Sequence, residues 1–251
     1  MTMNLPVTIQ EEILRSGPNR IFVFSEARSG SNWLVETLNS HREIFLLKEI
    51  MQPGQREDFY RAGNNEGISR DRDVAYIEKQ LSSGSKRLKG CKILFPQAIR
   101  FMDLYEFTLN YRYAYFILLS RRNCIRGEIS GMIAREASRW HSEAGVTKHR
   151  MTVDPEFLYH RVLWRSQTAR FCADVLKSHC PNILELCYED LFTHTDHELG
   201  RILGFLNLND REMTPSREVR LNTHSLHEII INYEEVRDFF MDREPFSGMF
   251  D

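Results

Sequence analysis

The sequence predicts an α/β fold, a parallel β-sheet flanked by helices, in a single domain over residues 1–251. Three observations lead there. Short apolar runs of strand length, such as Ile21-Phe22-Val23-Phe24, alternate along the chain with stretches of helical periodicity, the order that produces a helix-wrapped parallel sheet. The strongest runs are continuously apolar, as strands covered on both faces are. Two of them end abruptly in small residues or arginines (SEARSGSNW, residues 25–33; SRRN, residues 120–123), at the carboxyl edge where ligands sit in such sheets.

The elements follow in order. Residues 1–19 read as a leader with one or two helical turns, ended by Ser16-Gly17-Pro18. Residues 20–25 (RIFVFS) form the first strand. Leu34, Val35 and Leu38 give residues 31–40 a helical spacing. A short strand over 43–47 ends at Lys48-Glu49. Residues 51–70, rich in Gly, Pro, Asn and charge, read as a loop. A helix over 71–82, a strand over 88–95 and, after Pro96, a helix to about Leu109 come next. Residues 112–120 (RYAYFILLS) are the strongest strand, and 124–140 read as a helix. Asp154-Pro155 opens a long amphipathic helix to residue 179. A last strand spans 182–187, and a helix spans 195–206. There is no internal repeat, low-complexity tract or linker.

Composition narrows the function. The chain has 251 residues, 42% hydrophobic and 27% charged, with a net charge of −2. A packed core is expected, and a general nucleic-acid footprint is not. The five cysteines are odd in number and lack CxxC pairing, which argues against a zinc site or a disulfide framework. They read as reduced thiols. The first residues do not have the pattern of a signal peptide, and no run approaches the roughly 20 apolar residues of a membrane span. A cytoplasmic protein is the expectation.

The loop after the first strand has the parts of an anion cradle. Backbone N–H groups and the N-terminus of the helix near Ser31 face one point. Gly30 lets the backbone approach closely, and Arg28 supplies a planar cationic fork. The loop lacks the lysine of the common nucleotide-binding loop, and no strand ends in the aspartate that would hold Mg²⁺. The read-out is an anionic nucleotide handled by arginines and amides. At the later strand end, Arg121 and Arg122 add two guanidinium groups, with Ser130 eight residues beyond Arg122. A fully helical spacer would part them by roughly 12 Å. Gly127 suggests that the turn persists before the helix begins, so that Arg122 and Ser130 converge on one phosphate.

RSGSNW after the first strand, with RRN and a serine at +8 after a later one, resembles the two nucleotide-binding signatures of sulfotransferases that use 3′-phosphoadenosine 5′-phosphosulfate. GCKILFPQ (90–97), FILLSRRNCIRGEIS (116–130), CYEDLFTHTDHELGRILGFLNL (187–208) and NYEEV (232–236) are similar to the bacterial carbohydrate type, the Nod-factor and trehalose sulfotransferases. The resemblance runs from about residue 20 to 240. It implies the P-loop-like parallel β-sheet of the sulfotransferase fold. It also implies a donor that leaves as 3′,5′-adenosine bisphosphate, no metal, and a carbohydrate, glycolipid or other hydroxylated small molecule as acceptor. A homodimer stays open.

Residue by residue, the resemblance places Arg28 on the bridging and sulfuryl oxygens, with Ser29, Gly30, Ser31 and Asn32 as the amide and hydroxyl cradle. Trp33 stands where cytosolic relatives stack a tryptophan on adenine. Arg122 and Ser130 would hold the 3′-phosphate, with Arg217 and Arg220 closing over it. Glu49 matches the general base of the carbohydrate enzymes; other sulfotransferases use histidine, and the nearest here, His41, sits in a turn that reads as structural. Lys92, inside an apolar strand, is expected to pair with Glu49 or to face the sulfuryl group, since buried lysines are rare unless paired. Tyr188-Glu189-Asp190 reads as a structural turn, not a catalytic acid pair. Residues 51–70 and 138–153, the latter with Trp140, are expected to shape the acceptor pocket. The competing class is a P-loop small-molecule kinase or nucleotide hydrolase.

Overall fold

The structure is a computed structural model that describes residues 17–51, 72–136, 150–209, 212–217 and 224–250. Five parallel strands form one sheet: β1 (Arg20–Ser25), β2 (Ile44–Glu49), β3 (Leu88–Leu94), β4 (Tyr115–Ser120) and β5 (Ile183–Cys187), in the order β2-β3-β1-β4-β5. The central strand explains why the apolar runs are continuous. Phe22 and Phe24 point to one face, Ile21 and Val23 to the other, and all four are buried.

On the Phe22 face lie α2 (Arg72–Leu81), α3 (Phe95–Phe101), α4 (Leu104–Asn110) and the long α6 (Pro155–His179), around an edge-to-face cluster of Phe22, Phe107 and Tyr111. On the other face lie α1 (Ser31–Asn39) and α8 (Thr195–Phe205), which bury Leu34, Leu38, Ile202 and Leu203 against Ile21 and Val23. A third core joins α5 (Cys124–Glu136) and α6 to the C-terminal helices α9 (Leu226–Ile229) and α10 (Tyr233–Phe240), through Ile125, Ile129, Val162, Val236 and Phe240.

The elements depart from the sequence reading at four points. The predicted helix after Pro96 is two helices, because Asp103 caps a new one by accepting from the Glu106 N–H at 3.1 Å. The second strand continues through Lys48 to Glu49 with a bulge. The short helix α7 (Tyr188–Thr193) follows β5 directly. Finally, α5 begins at Cys124 with no intervening turn, Asn123 Oδ1 accepting from the Arg126 N–H at 2.8 Å, and Gly127 lies inside the helix.

Candidate active site

The loop between β1 and α1 is built around two residues in the left-handed region, Arg28 (φ 62°) and Gly30 (φ 74°). Gly30 is required twice over. Its φ favours glycine, and a Cβ there would meet the Phe192 ring at 2.7 Å. It is the N-cap of α1 and offers no side-chain cap, so the N–H groups of the first turn have no acceptor within the helix. Ser31 and Ser29 are buried at this turn. The Ser29 hydroxyl donates to the Glu26 carbonyl at 2.7 Å and so closes the turn from inside. Of the predicted cradle, its hydroxyl is therefore structural.

Two arginines grip the loop by its carbonyls. Arg121 Nη1 donates to the Arg28 carbonyl at 2.9 Å, and Arg165 Nη2 donates to the Ala27 carbonyl. Arg121 lies over the Tyr188 ring at 4.5 Å, and its buried Nε has no hydrogen-bond partner. Burial lowers its pKa despite the opposing pull of Tyr188 and Glu189, although a guanidinium stays charged. Arg28 itself donates from Nε to Ser130 Oγ at 3.2 Å, which brings α5 over the loop.

Beneath the loop is an ion cluster that sequence reasoning missed. Arg165 Nε donates to Glu26 Oε2 at 2.7 Å, and Arg165 Nη1 lies 3.7 Å from Glu128 Oε2. Arg161 and Arg135 donate to Glu128 Oε1 at 2.9 and 3.0 Å. Burial pushes the Glu26 carboxyl up, more than Arg165 pulls it down. Burial acts on Glu128 the same way, but Arg161, Arg135 and Arg165 outweigh it and hold that carboxyl below the usual range. Gly127 makes room for this: a Cβ there would lie 2.9 Å from Arg165 Nη2. One signal was available in the sequence, a glutamate directly after a fully buried strand.

Arg122 and Ser130 do not meet. Arg122 is 62% exposed and donates to Asp190 Oδ2, while Ser130 faces Arg28. The expectation that Gly127 delays the helix is corrected by the start of α5 at Cys124. From Cys124 to Ser130 the helix rises roughly 9 Å, so the two side chains reach one phosphate only if Arg122 leaves Asp190. Glu189 accepts from the backbone N–H groups of Arg122 and Asn123 at 3.0 and 3.2 Å. Burial would raise its carboxyl; its bonds from Cys187 and these N–H groups hold it low. Tyr188-Glu189-Asp190 thus ties the β4–α5 turn to α7.

Trp33 is 7% exposed, packed on Phe192 at 5.0 Å between ring centres, and its indole N–H donates to the Ser216 carbonyl at 3.0 Å. The ring belongs to the core in this structure, so adenine stacking needs it to leave that place. The 212–217 segment runs back along α1: the Thr214 N–H donates to Ser40 Oγ at 2.8 Å, and the Ser216 N–H to Thr37 Oγ1 at 3.0 Å. It therefore approaches the loop end of α1, and Arg217, exposed, is its last described residue. Arg220, Trp140, most of 51–70 and 138–149 lie outside the described residues.

The second half of the site lies at the ends of β2 and β3. The bulge at Lys48 shifts the register so that Glu49 stands beside Lys92. Lys48 turns outward to Glu36 at 2.5 Å. Lys92, 2% exposed, donates from Nζ to Glu49 Oε1 at 2.7 Å and to Asn32 Oδ1 on the first turn of α1. Gln97 Nε2 donates to Glu49 Oε2 at 3.1 Å. Asn32 thus joins the β1–α1 loop to a carboxylate that is one-quarter exposed. His41 is fully buried, its Nδ1 accepting from the Glu43 N–H at 3.1 Å.

The arrangement offers cations and helix N–H groups to an anion on one side, and a carboxylate open to solvent on the other. No family model matches the chain, and no curated protein matches it in sequence. Solved structures do match. A sulfotransferase from Alicyclobacillus acidocaldarius superposes with a TM-score of 0.52 at 14% identity, over 89% of this chain and 91% of that one. The sulfotransferase domain from the Synechococcus PCC 7002 olefin synthase gives 0.50 at 18% identity, over 82% and 80%. The chain has the fold of these sulfotransferases.

Proposed function

We propose that this chain transfers a sulfuryl group from 3′-phosphoadenosine 5′-phosphosulfate to a hydroxyl of a carbohydrate or glycolipid. The observation that carries the reading is the joint between the two halves of the site. Arg28 and the uncapped first turn of α1 form an anion cradle, and Asn32 on that turn meets the buried Lys92 that holds Glu49.

When bound, the donor supplies the sulfuryl group: a bond forms from the acceptor oxygen to sulfur as the sulfur–oxygen bond to the phosphate breaks, its electron pair leaving with the phosphate. Glu49 takes the acceptor's hydroxyl proton, a step worth roughly 10²- to 10⁴-fold when the base is positioned. Arg28 and the α1 N-terminus meet the negative charge that grows on the leaving side. Lys92 holds Glu49 at the edge of the cradle. Ser130, Arg122, Arg217 and Arg220 are the proposed partners of the nucleotide's remaining phosphate. The carbohydrate acceptor rests on the sequence resemblance.

Two measurements test this. Saturating 3′,5′-adenosine bisphosphate should raise the unfolding midpoint by about 5–10 °C at a hundredfold excess over Kd. ATP–Mg²⁺ should not; a shift with ATP–Mg²⁺ alone would favour a P-loop kinase or hydrolase instead. A screen with labelled donor across sugars, glycolipids and phenols then identifies the acceptor.

A further inference from the structure

We infer that Gln97 is a positioning residue for Glu49, an inference that rests on the reading of Glu49 as the base. The two carboxylate oxygens are held from two directions. Lys92 on β3 takes Oε1 at 2.7 Å, and Gln97 on the first turn of α3 takes Oε2 at 3.1 Å. The amide of Gln97 is itself fixed, because its Oε1 accepts from the Leu94 backbone N–H at 3.0 Å. A flipped amide would set oxygen against a carboxylate and NH₂ against an N–H, so only one orientation satisfies both neighbours. Glu49 therefore cannot turn its carboxylate without breaking a bond to β3 or to the helix that follows it.

The identity of the residue separates this role from a helix cap. The third position of a helix favours glutamate or glutamine alike when its side chain reaches back to the backbone N–H before the helix. Glutamate here would make the same bond to Leu94, but would place a second carboxylate against Glu49. Capping accounts for Oε1 alone; the Nε2 donor is explained by Glu49.

The Gln97→Glu variant tests the second role, since it keeps the acceptor for Leu94 and replaces the donor to Glu49 by a second carboxylate. Labelled transfer from 3′-phosphoadenosine 5′-phosphosulfate to a pool of trehalose, glucose and a phenol is measured for the full chain, for Gln97→Glu, for Glu49→Gln and for the double variant. In Gln97→Glu, kcat should fall at least tenfold, with the donor KM within twofold and the unfolding midpoint unchanged. In the Glu49→Gln background, the same change should cost nothing further, because Gln97 acts only through Glu49. Gln97→Glu at full kcat, with Glu49→Gln inactive, overturns the role of Gln97 and leaves the base assignment standing. So does an equal further loss in the double variant. Glu49→Gln at full turnover, or a parent chain that moves no label, overturns both.

Discussion

Lys92 is the side chain on which both halves of the site depend. It is buried in a strand, and its donors go to Asn32 on one side and Glu49 on the other. Its burial was legible in Cys91-Lys92-Ile93-Leu94, where a lysine interrupts an apolar run, and a partner was to be expected on physical grounds. Which carboxylate it meets was narrowed by resemblance, and the register supplies the geometry. Removing one partner of a buried ion pair leaves the other charge uncompensated, an effect softened here because Glu49 is partly exposed. Lys92→Met should therefore lower the urea unfolding midpoint but still fold. It should lose about a hundredfold in labelled sulfuryl transfer, the scale of loss when a reacting group is displaced by about 1 Å. A variant that unfolds but transfers normally when folded would remove Lys92 from the chemistry. Trp33 and Ser29 teach the opposite lesson. Both stand in the expected motif, yet Trp33 is packed against Phe192 and the Ser29 hydroxyl is folded inward, because a loop of small residues must satisfy its own polar groups first.

At the scale of elements, the site is set by how α5 and α6 cross beneath the β1 loop. Gly127 is the contact that permits it. Read in sequence, a glycine near a strand end suggests a persisting turn. In the fold it is a helical position without a side chain, over which Arg165 reaches Glu26 and Ala27. Two effects compete in Gly127→Ala. Alanine gains about 1 kcal/mol of helix propensity. Against that, a methyl 2.9 Å from Arg165 Nη2 must push that nitrogen off the Ala27 carbonyl, and a hydrogen bond from a charged group is worth roughly 1.5–3 kcal/mol. The second effect is larger. The variant should melt several degrees below the parent, and its midpoint should respond less to 3′,5′-adenosine bisphosphate because the loop has lost a support. An unchanged or raised midpoint would show that Arg165 moves aside without loss. The bulge in β2 is the other decision made at this scale. Without it Lys48, not Glu49, would stand beside Lys92, and β periodicity alone does not reveal an extra residue.

For the whole molecule, one consequence of the buried cluster is a pH dependence of stability. Glu128 has its carboxyl held below the ordinary value of 4.5. Its contribution is therefore complete above that value and is lost as pH falls through the lowered one. Glu26 is raised and works in the opposite sense: its ionised form is penalised, and stability declines as pH rises through its folded value. Urea unfolding of the parent and of Glu128→Gln from pH 7 to pH 3.5 should show a gap of about 3 kcal/mol at neutral pH that narrows below 4.5. A gap that is constant with pH would mean that Glu128 acts by packing alone. By itself the sequence determined the parallel α/β order, the strands and most helices, and the two strand ends where an anion site would lie. Those are local properties, carried by periodicity and by residues adjacent in the chain. Only the tertiary structure decided that Glu49 meets Lys92 and Gln97, that Ser130 faces Arg28 rather than Arg122, and that Glu26, Glu128 and Arg165 support the loop. Such contacts join residues far apart in the chain, up to 139 positions for Arg165 and Glu26. They follow from strand register, a bulge and the crossing of helices, none of which has a local signature.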